Sequence, residues 1–351
     1  MAMTSSSDEG TVLLHRDGPV GRIVLNRPRA LNALTHGMVR RIAAALDDWE
    51  RDASVQLVEV SGAGERGLCA GGDIRAIRED AMAGGDAARA FWRDEYRLNA
   101  RIAAYSKPYV ALMDGIVMGG GVGVSAHGSV RVVTERSAVA MPETGIGFVP
   151  DVGGTYLLSR APGELGTHLA LTASPVGAAD ALLCGLADVF VPVGLLPAFS
   201  AALAEGGVGQ AVERHAQSAP PGELAGQREW IDACYGAETV EEIVERLLDS
   251  GERAAKEAAE QILAKSPTAL KVTLRSLRLA RGLGSLERVL EQEYRVSCAA
   301  LSWPDLVEGV RAQVVDKDRS PRWSPATLRG VTGDAVEGCF SSGGNHDHPV
   351  T

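Results

Sequence analysis

The sequence predicts an α/β fold with a helical C-terminal region, on two observations. Short apolar runs alternate with glycine-rich loops and amphipathic stretches up to about residue 193, and strand signals nearly vanish from Gly194 onward. Such alternation builds βαβ units, with helices packed on a mostly parallel sheet. With 351 residues, 45% of them apolar and 23% charged, the chain can bury that core without disulfides or metals.

Residues 11–15 and 21–25 are β-rich runs separated by Arg16-Asp17-Gly18-Pro19, which suits a hairpin turn. Met38, Ile42, Leu46 and Trp49 then fall three or four apart, predicting an amphipathic helix over 35–52 with Thr35 as its N-cap. Residues 55–61 read as a buried strand entering a loop with glycines at 62, 64, 67, 71 and 72. A helix over 87–104 precedes a second apolar strand, 109–113, which runs into Gly119-Gly120-Gly121-Val122-Gly123. Shorter strands follow at 130–134 and 138–140, then a helix from 155. Beyond residue 194 the periodicity is helical, with Ser266-Pro267 as an N-cap and first-turn proline. The expected organisation is a core over 11–193, a helical region over 194–329, and flexible termini at 1–10 and 330–351.

The formal charge of −10 and the absence of a long basic run disfavour nucleic-acid binding. Five scattered cysteines without a CxxC pair read as reduced thiols. Residues 1–10 have no apolar h-region, and no stretch approaches the roughly 18 apolar residues of a membrane span, so a cytoplasmic protein without membrane partners is expected.

Two constellations can carry chemistry. Adjacent backbone N–H groups in the two glycine loops can converge on one oxygen, as an oxyanion hole requires, although such loops also serve as tight turns. In Pro142-Glu143-Thr144-Gly145-Ile146-Gly147-Phe148-Val149-Pro150-Asp151 two carboxylates stand among apolar residues and glycines. Burial would raise their pKa and suit them to acid–base or nucleophilic work, whereas the simpler reading has Glu143 capping a helix and Asp151 closing a turn. Other motifs fail: Gly123-Val124-Ser125-Ala126-His127 lacks the last glycine of GxSxG, and there is no GxxxxGK[ST] and no HExxH. No metal or separate cofactor is expected; His346-Asp347-His348 is the one metal-like cluster, in the tail.

Leu68-Cys69-Ala70-Gly71-Gly72-Asp73-Ile74, residues 107–123, residues 137–154 and Ala30-Leu31-Asn32-Ala33-Leu34 together resemble the ordered signatures of the crotonase superfamily, over about residues 11–327. The resemblance implies a spiral of ββα repeats with a helical C-terminal region. It also implies an acyl-CoA substrate whose thioester oxygen is held by the N–H groups of Gly72 and Gly120. Enoyl-CoA hydratases of this superfamily usually work with two glutamates, and the first of those positions is Gly123 here, so plain hydration is disfavoured. Asp151, Glu95-Tyr96, Thr134-Glu135 and the C-terminal runs 266–271 and 308–312 resemble the 3-hydroxyisobutyryl-CoA hydrolase branch. That branch implies Glu95 beside the substrate and Glu143 as nucleophile or water-activating base, with Asp151 orienting the 3-hydroxyl or sharing a proton. Ala70, Gly71, Asp73 and Ile74 are similar to the family's adenine-contacting loop. Arg75 is expected near a CoA phosphate or else as a solvated charge, with Ala30 and Leu31 as weaker contacts. Homo-oligomers occur among crotonase relatives, so one is possible here.

Overall fold

The computed structural model describes residues 10–341, so residues 1–9 and 342–351, with His346-Asp347-His348, lie outside the described residues. The chain divides into two compact units whose segments interleave along the sequence.

The first unit comprises Met1–Gly72, Arg97–Val139 and Val176–Gly222. β1 (Val12–Asp17) and β2 (Val20–Leu25) form the expected antiparallel hairpin, turned at Gly18 with φ +55°. β3 (Leu57–Gly62), β4 (Tyr109–Met113), β6 (Val130–Val133) and β8 (Val189–Phe190) add in parallel, giving the order β1-β2-β3-β4-β6-β8. β5 (Ile116–Met118) and β7 (Ala138–Ala140) form a second, two-stranded sheet. α1 (His36–Arg51) begins where Thr35 accepts a hydrogen bond from the Met38 N–H at 3.2 Å, and it buries Met38, Ile42 and Leu46 as their spacing predicts. Its Trp49 ring lies so close to β2 that a Cβ at Gly21 would approach it to 2.6 Å.

α7 (Ala178–Leu183) precedes β8, and α8 (Leu196–His215) follows it. The sequence predicts two helices here, over 197–205 and 211–217, and α8 is indeed two helical segments joined at a kink at Gly207, whose φ of +73° and ψ of −172° are not helical. Phe199, Ala202, Leu203 and Ala211 of α8 cover Val20, Leu57, Val110, Leu112 and Val132 of the sheet. Each fully buried Leu, Val or Phe contributes roughly 1.5–3 kcal/mol.

The second unit comprises Asp73–Tyr96, Ala140–Pro175 and Glu223–Thr351. It contains α2 (Ile74–Ala83), the first part of α3 (Asp86–Ala103), α5 (Gly154–Leu158) and α6 (Leu165–Thr172). α9 (Leu224–Tyr235), α10 (Val240–Asp249), α11 (Arg253–Leu263), α12 (Pro267–Leu283), α13 (Leu286–Ala300) and α14 (Pro304–Val310) complete its helical bulk. α12 starts at Ser266, which accepts from the Ala269 N–H at 3.1 Å. The tail expected to be flexible from residue 330 is folded instead as far as Ser341. α15 (Gly333–Gly338) forms there, and Val331, Val336 and Cys339 pack with Val149, Val272 and Val296. Its glycine and serine content suggests disorder, but three buried apolar anchors outweigh it.

Candidate active site

In the first unit the two glycine loops are laced together by backbone hydrogen bonds. Leu68 N–H donates to Asp114 O at 3.0 Å, Cys69 N–H to Ile116 O at 3.1 Å, and Met118 N–H to Cys69 O at 2.9 Å. Glycine is what allows this approach: a Cβ at Gly67 would lie 2.1 Å from Ile116 N, and one at Gly121 2.3 Å from Cys69 O. A Cβ at Gly71 would lie 3.8 Å from Gly120 N, so the tips of the two loops are neighbours.

Gly120 opens the four-residue helix α4 (Gly120–Gly123), so its N–H has no acceptor one turn back. Among the described residues neither the Gly120 N–H nor the Gly72 N–H donates to a backbone carbonyl. A helix of one turn has little dipole, so the unpaired N–H itself is the relevant group. Ala70 N–H donates to Leu31 O at 3.0 Å and Leu34 N–H to Gly71 O at 2.8 Å, which brings Leu31 and its neighbour Ala30 to the same loop.

Asn32 locks this arrangement, a role its place in the N-terminal motif did not reveal. Buried, and at φ +56°, it accepts from the Arg27 N–H at 2.9 Å and donates to Ala63 O and Gly67 O at 3.0 and 3.1 Å. Ser125 is buried with its hydroxyl on Gly121 O at 2.6 Å, a packing role that fits the missing GxSxG.

In the second unit Glu95 and Tyr96 from α3, Glu143 from the 3-10 turn Glu143–Ile146, and Asp151 from the following loop form a buried cluster. Two glycines press the 3-10 turn against α14. A Cβ at Gly147 would meet Asp305 O at 2.1 Å, and one at Gly309 would meet Ile146 at 2.3 Å. Phe148 stacks on Trp92 at 5.3 Å between ring centroids. Tyr96 donates its hydroxyl proton to Asp151 Oδ2 at 2.7 Å and lies 2.8 Å from Ser297 Oγ on α13. Val152 and Gly153 follow Asp151 in left-handed backbone, φ +53° and +79°, and turn the chain into α5. Glu293 of α13 receives that turn, accepting from Gly153 N–H at 2.6 Å, Thr155 N–H at 2.9 Å and Thr155 Oγ1–H at 2.6 Å.

Four carboxyls without a countercharge inside the cluster cannot all ionise. Burial, then the nearby Asp151, hold Glu95 well above the usual carboxylate range. Burial, with Asp151 and to a lesser extent Glu293, does the same to Glu143. Burial lifts Asp151 to about 7 even though the Tyr96 hydroxyl favours its anion. Burial pushes Glu293 to about 8 against the pull of its donors. Among the described residues Glu95 Oε1 and Glu143 Oε2 have no hydrogen-bond partner. Unpaired polar atoms at such depth cost free energy. Helix capping, the simpler reading of Glu143, does not describe this environment.

The second unit thus brings Glu95, Glu143 and Asp151 together, and the first brings Ala30, Leu31, Ala70, Gly71, Gly72 and Gly120 together. Asp73 stands at the N-cap of α2 without a side-chain capping bond, and Ile74 is its first residue. Arg75 is exposed and donates to Val314 O at 2.6 Å, so part of its guanidinium is engaged by the protein itself. Glu293, Thr155 and Ser297 were not anticipated: Thr155 follows directly on the quoted 137–154 motif, whereas Glu293 and Ser297 lie well outside any motif and only the fold brings α13 to Asp151.

A mixed sheet with helices and a buried carboxyl cluster is the crotonase-type α/β architecture. Residues 20–340 match the family model described as Enoyl-CoA hydratase/isomerase, and the chain belongs to that family. It is 45% identical to the mitochondrial 3-hydroxyisobutyryl-CoA hydrolase of Danio rerio, covering 97% of this chain and 92% of that protein. It is 42% identical to the Homo sapiens protein of the same name, covering 98% and 91%. Among solved structures it resembles a carnitinyl-CoA dehydratase from Mycobacterium thermoresistibile, with a TM-score of 0.94 and 56% identity over 97% of this chain and 98% of that one. An enoyl-CoA hydratase from Rhodobacter sphaeroides 2.4.1 follows with a TM-score of 0.89 and 43% identity over 94% and 97%. Among the described residues no helix is long and apolar enough to cross a membrane.

Proposed function

We propose that the protein is an enzyme that hydrolyses acyl-CoA thioesters, with 3-hydroxyisobutyryl-CoA as its substrate. The observation that carries this reading is the Glu143–Asp151 pair: two buried, electrostatically interacting carboxyls, in a chain whose position 123 is glycine. The names of the vertebrate relatives support the same substrate.

In this reading the Gly72 and Gly120 N–H groups stabilise the oxyanion that develops on the thioester oxygen. Glu143 as carboxylate attacks the acyl carbon to give an anhydride that water then cleaves, or it takes a proton from water as that water attacks. Either route consumes one water and releases the acid and the CoA thiol. Asp151 accepts a proton or orients the 3-hydroxyl, and Glu95 binds the acyl group. Ala30, Leu31, Ala70, Gly71, Asp73, Ile74 and Arg75 receive the CoA moiety, which is part of the substrate rather than a cofactor. Valine breakdown as the pathway, a cytoplasmic location and a homo-oligomeric state belong to the same proposal; the word mitochondrial belongs to the relatives' names.

A thiol-release assay over a panel of 3-hydroxyacyl and plain acyl-CoA esters tests the proposal. Glu143→Gln should lose at least about a thousandfold in kcat with its fold intact, and Asp151→Asn about a hundredfold or more, in the range of removed acid–base groups. Wild-type rates in Glu143→Gln would refute the proposal. A second reading, dehydration or hydration of a CoA ester, is favoured by the name of the 56% identical structure. The two differ in product.

A further inference from the structure

The cluster has an order built into its hydrogen bonds. Of the two carboxyls assigned to the chemistry, Glu143 has an orphaned oxygen, whereas Asp151 has a dedicated donor in Tyr96. Tyr96 is buried to 0% exposure, and its ring meets Tyr294 edge-on at 6.2 Å. Since its proton is committed to Asp151 Oδ2, its oxygen accepts from Ser297 Oγ–H, 2.8 Å away. The chain Ser297 O–H to Tyr96 O–H to Asp151 points every proton at one carboxylate, and each bond strengthens the next. A hydroxyl donor favours the ionised acceptor, and that effect is larger where water is excluded. The titratable groups acting on Asp151 are Glu95 and Tyr96 from α3, Glu143 from the 3-10 turn and Glu293 from α13. Of these only Tyr96 stabilises its charge.

We propose that Tyr96, backed by Ser297, is a positioning residue that holds the cluster's negative charge on Asp151 and leaves the mobile proton on Glu143 in the free enzyme. The proposal rests on the reading that Glu143 and Asp151 perform the chemistry. It defines the first proton movement: Glu143–COOH and Asp151–COO⁻ become Glu143–COO⁻ and Asp151–COOH, with no co-reactant, and Glu143 is then free to act on the thioester or on water. The same geometry separates Glu293 from the chemistry, because three donors from residues 153 and 155 occupy its carboxyl.

The test is the pH dependence of kcat/KM for thiol release by Tyr96→Phe and Ser297→Ala, with Glu143→Gln as reference. Phe keeps the ring and removes the donor, so the acid limb should move to higher pH by about one unit, with a loss of about tenfold below pH 7 and KM changed far less than kcat. Ser297→Ala should shift the limb in the same direction by less. A merely structural role would lower the melting temperature of both variants and leave the limb in place, which overturns the proposal. If Tyr96→Phe does not fold, Ser297→Ala decides alone, since it removes a single atom. Unmoved limbs with an inactive Glu143→Gln reject this proposal and keep the catalytic reading; an active Glu143→Gln rejects both.

Discussion

Thr155 gives both its N–H and its hydroxyl proton to one oxygen of Glu293, at 2.9 and 2.6 Å. With Gly153 N–H on the other oxygen at 2.6 Å, this bond set fixes the turn that leads out of Asp151. Glu293→Gln presents an amide N–H to donors and leaves at least one unsatisfied, at a cost of about 1–3 kcal/mol. The folded-state pKa of Glu293 is raised to about 8, so its contribution to stability is complete below the unfolded value and is lost as pH rises through about 8. Urea unfolding should therefore show the deficit of the variant largest near pH 4 and smaller at pH 9.

Glu143→Gln should separate stability from activity. The unfolded glutamate ionises above roughly pH 4.5 while the folded one stays protonated well beyond that, so this residue costs the wild type stability as pH rises, a contribution that the glutamine variant lacks. Differential scanning calorimetry should show the inactive variant melting about 2–5 °C higher at pH 8, with the difference vanishing near pH 4.

Asn32→Ala removes the three hydrogen bonds of a buried side chain and places alanine at φ +56°. We expect a loss of about 2–4 kcal/mol in urea unfolding, since unsatisfied groups and left-handed strain add. Asn32→Asp sets a buried carboxylate oxygen against the carbonyls of Ala63 and Gly67 and should cost at least as much.

Gly121→Ala drives a methyl group to 2.3 Å from Cys69 O and must part the two glycine loops. Under the proposed role of these loops as oxyanion donors, a fall of about tenfold or more in kcat is expected even when folding survives. Gly282→Ala, in α12 and with open space around its Cβ, is the control and should leave kcat unchanged.

Strands β1 to β4, β6 and β7, α1 with its Thr35 cap, and the Ser266-Pro267 start of α12 were legible because each depends on local periodicity or on a capping side chain within three residues, whereas the two- and three-residue strands β8 and β5 are too short to show a period. The glycine loops were legible as loops, but their lacing through Cys69, Ile116 and Met118 is a tertiary fact. Glu143 and Asp151 stood out through family resemblance rather than spacing, and the burial that sets their charge has no signature in eight residues of sequence. Glu293 and Ser297, one helical turn apart on α13, carry no motif; Glu293 acts on a loop 140 residues earlier in the chain and Ser297 on Tyr96 of α3, 201 residues earlier. The folded tail escaped notice because glycine and serine outnumber the three apolar residues that anchor it.

The central claim is tested most directly by following free thiol and enoyl absorbance in one reaction of the purified protein with 3-hydroxyisobutyryl-CoA. Stoichiometric thiol release with no enoyl signal, abolished in Glu143→Gln, is the predicted result. Appearance of the enoyl thioester without thiol release would contradict the account and assign the cluster to dehydration.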